Sequence, residues 1–242
     1  MKVLLVGNSQ TGVCNPDGEW KYDLARMIQT MSESAPADCP RIEAARTTAG
    51  GKNLKLKWEA GDGAGTPRAM IAAGKWDCVI IQEIYSADAQ VFEKYAALFC
   101  DAVVKAGARP ILFATASVTT NYSAACKYPD SFKALNDMQL AFGKKRSIPV
   151  ASAGHAWIKY LGPEPSDAQL LDMYHKDKGH PGYKGSYIYA CLLYAVLTGK
   201  NPSGLSRSFK DASSGAEIVI EAEEAARMQK AAWDHYLECI GK

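Results

Sequence analysis

The sequence predicts an α/β protein in which a parallel sheet is covered by helices on both faces. Three observations predict it. Short apolar runs recur at 2–7, 77–81, 110–114 and 148–151, each the length of a buried strand. Segments with helical periodicity lie between them. No internal repeat or linker interrupts the alternation, so one domain over 1–242 is the expected organisation, with a sheet of about five strands built from right-handed crossovers.

The elements follow in order. Residues 2–7 read as a buried strand. Residues 19–34 carry helical spacing through Trp20, Leu24, Met27, Ile28 and Met31. Residues 41–48 alternate weakly and read as a second strand, broken by Gly50-Gly51. Residues 53–74 read as a loop with helical turns. Asp77-Cys78-Val79-Ile80-Ile81 is the next strand, ending in Gln82-Glu83, and 88–106 is an amphipathic helix stopped by Gly107. Pro110–Ala114 is a fourth strand, followed by a polar loop at 117–127 and a helix at 129–146. Ile148–Ala151 is a short fifth strand, with a helix near 154–161. A Pro-rich loop at 162–167 leads through Leu170–Gly179 to a helix opened by Pro181-Gly182 and capped by Gly199. Asn201-Pro202-Ser203-Gly204 reads as a turn. Residues 214–239 read as a terminal helix packing on the outside.

Composition narrows the function. The 242 residues are 48% hydrophobic and 22% charged, ordinary values for a globular chain. The net charge is +2 and no basic block or aromatic-basic stripe occurs, so nucleic acid is not an expected partner. No apolar run reaches the length of a membrane span, and the first apolar stretch is too short for a signal peptide. The sequence as it stands reads as cytosolic, or as exported if a signal has been removed. Seven cysteines without a C-x-x-C pair do not indicate structural zinc. Cys78, Cys100 and Cys191 fall in apolar patterns and read as core residues. Cys14, Cys39, Cys126 and Cys239 lie in or near loops and termini, with no disulfide indicated.

The chemistry starts at Gly7-Asn8-Ser9. A strand that ends in this tripeptide presents a hydroxyl at the sheet's C-terminal edge, where open parallel sheets bind ligands. A serine there is a nucleophile only with a histidine to take its proton and an acid to orient that histidine. The chain has four histidines. His235 lies in the terminal helix and reads as a surface or packing residue. His155 reads as a structural residue at a helix start. Asp172-x-x-His175 and Asp177-x-x-His180 each offer a carboxylate and an imidazole within one turn. His180 is favoured, because Gly179 frees the backbone before it and Pro181-Gly182 opens a helix after it. His175, between charged neighbours, reads as part of a solvated loop.

An oxyanion formed by the attack needs preorganised donors. The candidates are the Ser9 N–H, the N–H of Gly50 or Gly51, and the side-chain amide of Gln82. A turn role for the glycines and a strand-end role for Gln82 stand equally open. Glu83 has three open roles: binding substrate hydroxyls, pairing with a cation, or simple exposure. Asn8 beside the serine is a further candidate substrate contact. Asp17, Asp62 and Asp88 read as helix caps or loop polar groups. Trp58, Tyr85, Tyr122 and Tyr128 are loop aromatics that either shape a sugar site or simply pack.

Taken together, Gly7-Asn8-Ser9, a glycine after the second strand, an amide ending the third and Asp177-x-x-His180 before the last core helix resemble the SGNH/GDSL hydrolase superfamily. The resemblance spans residues 1 to about 200. The stretches Gly74–Glu83, Gly107–Pro110 and His180–Tyr187 look like one bacterial branch of it. The resemblance implies a flavodoxin-like three-layer α/β/α fold and ester hydrolysis without metal or cofactor. It implies Ser9 as nucleophile, His180 as base, Asp177 as its orienting acid and Gly51 as an oxyanion donor. It implies a small acyl ester as substrate, such as an acetyl ester on a carbohydrate, with thioesters and lipid esters as alternatives. Two positions depart from the family pattern. Asn8 stands where the superfamily has aspartate, and Gln82 stands in for the asparagine of the third block. A non-catalytic sugar- or nucleotide-binding module is the rival reading, but neither G-x-G-x-x-G nor a P-loop is present.

Overall fold

A computed structural model describes the chain apart from residues 49, 85–87, 117–127, 211–214 and 216 and the side chain of Lys21. Five parallel strands form the central sheet: β1 (Lys2–Gly7), β4 (Glu43–Thr48), β5 (Cys78–Gln82), β6 (Arg109–Ala114) and β7 (Val150–Ser152). Their order is β4-β1-β5-β6-β7, the doubly wound arrangement. Two antiparallel hairpins stand apart from it, β2 (Gly12–Cys14) with β3 (Trp20–Asp23) and β8 (Ser208–Lys210) with β9 (Glu217–Val219).

The apolar runs make the sheet two-sided. Because strand side chains alternate, Val3, Leu5, Cys78, Ile80, Ile111 and Phe113 enter one core. Leu4, Val6, Val79, Ile81 and Leu112 enter the other. The first core is covered by α1 (Leu24–Ser34), α6 (Ala153–Leu161) and α8 (Tyr183–Thr198), with α9 (Ala222–Cys239) packed on α6 and α8. The second is covered by α2 (Leu54–Glu59), α3 (Pro67–Ala73) and α4 (Ala89–Lys105). Helix α5 (Asp130–Arg146) contributes Phe132 to the first core and Phe142 to the second. The short α7 (Asp167–Asp172) opens with a capping box of Ser166 and Gln169. The expected three layers and five parallel strands are therefore present. Among the described residues no helix is long and apolar enough to cross a membrane.

Three boundaries differ from expectation. Residues 19–34 are not one helix: Trp20–Asp23 is strand β3, and α1 starts only where the Asp23 side chain accepts the Arg26 N–H at 3.0 Å. The fifth strand starts at Val150, because the Ile148 N–H turns back to the Gly143 carbonyl and closes α5. The terminal helix starts at Ala222. The preceding Glu217-Ile218-Val219 carries two β-branched residues and pairs with β8, with Ile218 buried.

The doubly wound order matters for function. From β1 the chain crosses to β4 on one side and later to β5 on the other. The crevice at the C-terminal end of β1 is the switch point, and Ser9 stands there.

Candidate active site

Leaving β1, the chain makes a 3₁₀ turn at Ser9–Thr11, capped by Asn8, whose Oδ1 accepts the Gln10 N–H at 2.9 Å. Gly7 must be glycine: a Cβ there would lie 2.5 Å from Thr11 Oγ1. The turn leaves Ser9 exposed.

The second segment is the loop from Tyr174 to Pro181, closed by a bridge between those two residues and by the His175 N–H donating to the His180 carbonyl at 2.9 Å. Within it, Asp177 Oδ1 accepts the N–H groups of Gly179 and His180 at 2.9 and 3.0 Å. Asp177 Oδ2 faces His180 Nδ1 at 2.8 Å. His180 Nε2 faces Ser9 Oγ at 2.8 Å. A carboxylate only accepts, so Nδ1 carries the proton and Nε2 is free to accept from the serine hydroxyl. Burial raises the Asp177 pKa, but hydrogen bonds from the Gly179 N–H, the His180 ring and the His180 N–H outweigh it and bring it down to about 2. The positive φ in this loop falls on Lys178, at 58°, rather than on Gly179, a cost on the order of 1 kcal/mol stored two residues before His180.

Two further side chains, Gln10 and His175, bind this loop to the rest of the site. Gln10 is buried and donates from Nε2 to the Gly179 carbonyl at 2.9 Å, tying the serine turn to the histidine loop. His175 is not solvated, as its charged neighbours suggested, but 8% exposed. Its Nδ1 lies 3.0 Å from Asp177 Oδ2 and its Nε2 lies 3.0 Å from the Gly18 carbonyl. Ser9 Oγ therefore faces His180 and not His175, whose Nδ1 accepts the Asp177 N–H at 3.3 Å. Trp20 borders both imidazoles, its ring centre 5.0 Å from that of His175 and 5.1 Å from that of His180.

The oxyanion candidates divide. Among the described residues no hydrogen bond uses the Ser9 N–H. Gly51 lies in an exposed turn after β4 with φ +65°, with no described contact to Ser9. Gln82 is overturned as a donor. It is fully buried, its Oε1 accepts the Asn8 N–H at 2.9 Å, and its Nε2 donates to the Glu83 carbonyl. A backbone N–H can only donate, so this bond fixes the amide's orientation. Gln82 holds the Asn8 peptide and presents nothing to a ligand.

The substrate-contact readings of Asn8 and Glu83 are also overturned, because both are buried. Asn8 caps its own turn. Glu83 accepts the Leu54 N–H at 3.0 Å and the Ile84 N–H at 2.6 Å, and so holds the start of α2. It faces Lys57, itself 1% exposed, whose Nζ donates to the Gln82 carbonyl at 3.0 Å. Burial raises the Glu83 pKa and lowers that of Lys57 to about 8, each charge opposing the shift of the other.

The other histidines lie elsewhere. His155 Nε2 is 3.2 Å from Asp137, and His235 Nε2 is 2.7 Å from Ser152 Oγ. Of the loop aromatics, Trp58 packs on Phe99 and Tyr128 on Phe132. Tyr85 and Tyr122 lie outside the described residues. Asp88 caps α4 and Asp62 pairs with Arg68. Among the described residues no group of three or more His, Cys, Asp or Glu side chains is arranged to hold a metal ion.

An exposed serine, an imidazole and an ionised carboxylate in line can move a proton from Oγ to Nε2 and stabilise the resulting imidazolium. Solved structures share the framework that carries them. A Slackia heliotrinireducens chain described as an SGNH hydrolase aligns with TM-score 0.59 and 17% identity, covering 83% of this chain and 99% of its own. A catalytic mutant of Axe2, an acetylxylan esterase from Geobacillus stearothermophilus, aligns with TM-score 0.57 and 15% identity, covering 81% and 93%. The psychrotrophic esterase EstA from Pseudoalteromonas sp., inhibited by monoethylphosphonate, aligns with TM-score 0.55 and 12% identity, covering 81% and 96%. No protein-family model and no curated protein matches the sequence. The fold is that of the SGNH hydrolase structures.

Proposed function

We propose that this chain is a serine ester hydrolase of the SGNH type, acting on small acyl esters through an acyl-enzyme. The observation that carries the reading is the line Ser9 Oγ, His180, Asp177, with both hydrogen bonds at 2.8 Å and the first of them joining residues 171 positions apart in the chain.

His180 Nε2 takes the Ser9 proton as Oγ forms a bond to the acyl carbon. The tetrahedral oxyanion is met by the Ser9 N–H, with the Gly51 N–H as the second donor; at Gly51 the positive φ suits a peptide that turns toward a ligand. As the intermediate collapses, the bond to the alcohol oxygen breaks and His180 returns the proton to that oxygen. Water then attacks the acyl-Ser9 ester, giving its proton to His180, and the acid leaves as Ser9 recovers its hydrogen. Asp177 stays ionised and keeps Nε2 the accepting nitrogen.

The proposed acyl group is small, acetyl above all, and the proposed alcohol half is a carbohydrate. The exposure of Ser9 and the likeness to an acetylxylan esterase support this. The test is labelling with a fluorophosphonate probe, located by mass spectrometry, alongside p-nitrophenyl acetate turnover. The expected result is label on Ser9, lost in His180→Ala. An unlabelled Ser9 with no turnover would sink the reading and favour a binding module on the same sheet.

A further inference from the structure

Trp20 is a large apolar side chain that folding left 44% exposed. It is nevertheless held in place. It stands on β3, whose Tyr22 is buried on Phe209, and β3 is paired to β2 directly after the serine turn. Its ring lies against Gly12, where a Cβ would come within 3.1 Å of it. Two imidazoles flank it, with His180 nearly perpendicular at 80°. The hairpin thus spends a glycine and an antiparallel ladder to keep an indole at the rim of the site, where burial would have been worth about 2 kcal/mol or more.

The reaction says which half of the ester meets it. The alcohol oxygen must receive its proton from His180 Nε2, so the alcohol half lies on the histidine side of the acyl carbon. Trp20 borders that side. A sugar suits an exposed indole: its C–H face packs on the ring while its hydroxyls stay in water.

We propose that Trp20 is the platform for the alcohol half of the substrate and that this half is a sugar ring. The proposal rests on the esterase reading above. The test compares two acetate esters, methyl tri-O-acetyl-β-xylopyranoside and ethyl acetate, on the wild-type chain, Trp20→Ala and Trp20→Phe. Trp20→Ala is expected to lower kcat/KM for the xyloside at least tenfold more than for ethyl acetate, through KM, and Trp20→Phe to recover most of it. An equal loss on both esters, or no loss on either, overturns the platform. Ser9 labelling in the same samples separates the failures. Labelled Ser9 with no discrimination rejects the platform alone, whereas an unlabelled wild-type chain rejects the esterase. Ser9→Ala titrated with methyl xyloside by indole fluorescence reads the platform without turnover. Saturable quenching absent from Ser9→Ala/Trp20→Ala supports it, and its absence from both overturns it.

Discussion

Asp177 Oδ2 lies 2.8 Å from His180 Nδ1 while its Oδ1 accepts the Gly179 and His180 N–H groups, so both carboxylate oxygens hold the His180 segment. The arrangement makes the carboxylate charge, not merely its shape, the element that orients His180. Asp177→Asn keeps the shape but offers a donor as well as an acceptor, allowing the wrong tautomer of His180. Its kcat is expected to fall by roughly 10³–10⁴-fold with KM little changed, read by steady-state hydrolysis of p-nitrophenyl acetate. With a pKa of about 2, Asp177 remains charged far below neutrality, so its own titration adds no pH dependence to the wild-type chain between 5 and 8. The three principal residues were legible in the sequence because Gly-Asn-Ser ends an apolar run and Asp-x-x-His carries its own geometry. Gln10, His175 and Trp20 were not, because their partners lie 157 to 169 residues away or across a hairpin that resembles the start of a helix. Gln82 and Glu83 were legible as unusual polar residues at a strand end. What they bind is set by α2 and Lys57, whose place against β5 no local pattern marks.

Helix α9 is joined to the sheet by a polar contact inside an apolar seam. His235 is buried on Ser152, the last residue of β7, with His155 of α6 at a ring separation of 5.6 Å. Desolvation, then the neighbouring His155, lowers the His235 pKa to about 4, with Glu238 opposing and Lys159 adding to the shift. His155 is also lowered, by burial first, against the pull of Asp137. A histidine with a depressed folded pKa binds fewer protons in the native state than in the unfolded chain between the two pKa values. Stability is therefore full above about pH 6.5, declines as the pH falls toward 4 and levels off below. The His235 shift corresponds to a loss on the order of 3 kcal/mol. Urea unfolding at pH 8 and pH 4.5 should show this drop in the wild-type chain and a smaller one in His235→Gln, which keeps a hydrogen-bonding side chain at Ser152 without the titration. Equal drops in both would place the acid sensitivity elsewhere.

At the scale of the whole molecule, the layer order was legible in the sequence because four apolar runs, one weakly alternating segment and the periodic segments between them leave few ways to cover a parallel sheet. The two hairpins were not, because three- and four-residue strands carry too little alternation to compete with helical spacing nearby, as at Trp20–Asp23 and Glu217–Val219. One consequence of the layers is mechanical. Phe99 of α4 is fully buried in one core and Leu193 of α8 in the other, and between them runs a single sheet whose strands feed both. If the sheet couples the two sides, a cavity on either side weakens the whole. Phe99→Ala and Leu193→Ala are each expected to cost about 3 to 5 kcal/mol and to lower the midpoint of one shared transition. The measurement is thermal unfolding followed by far-UV circular dichroism and by indole fluorescence, with the calorimetric enthalpy set against the van't Hoff value. Coincident curves and equal enthalpies are expected for both variants. A Phe99→Ala chain that melts in two steps, with the His180 side intact after the first, would mean that the faces unfold separately and that β1, with Ser9 at its tip, is held from one side alone.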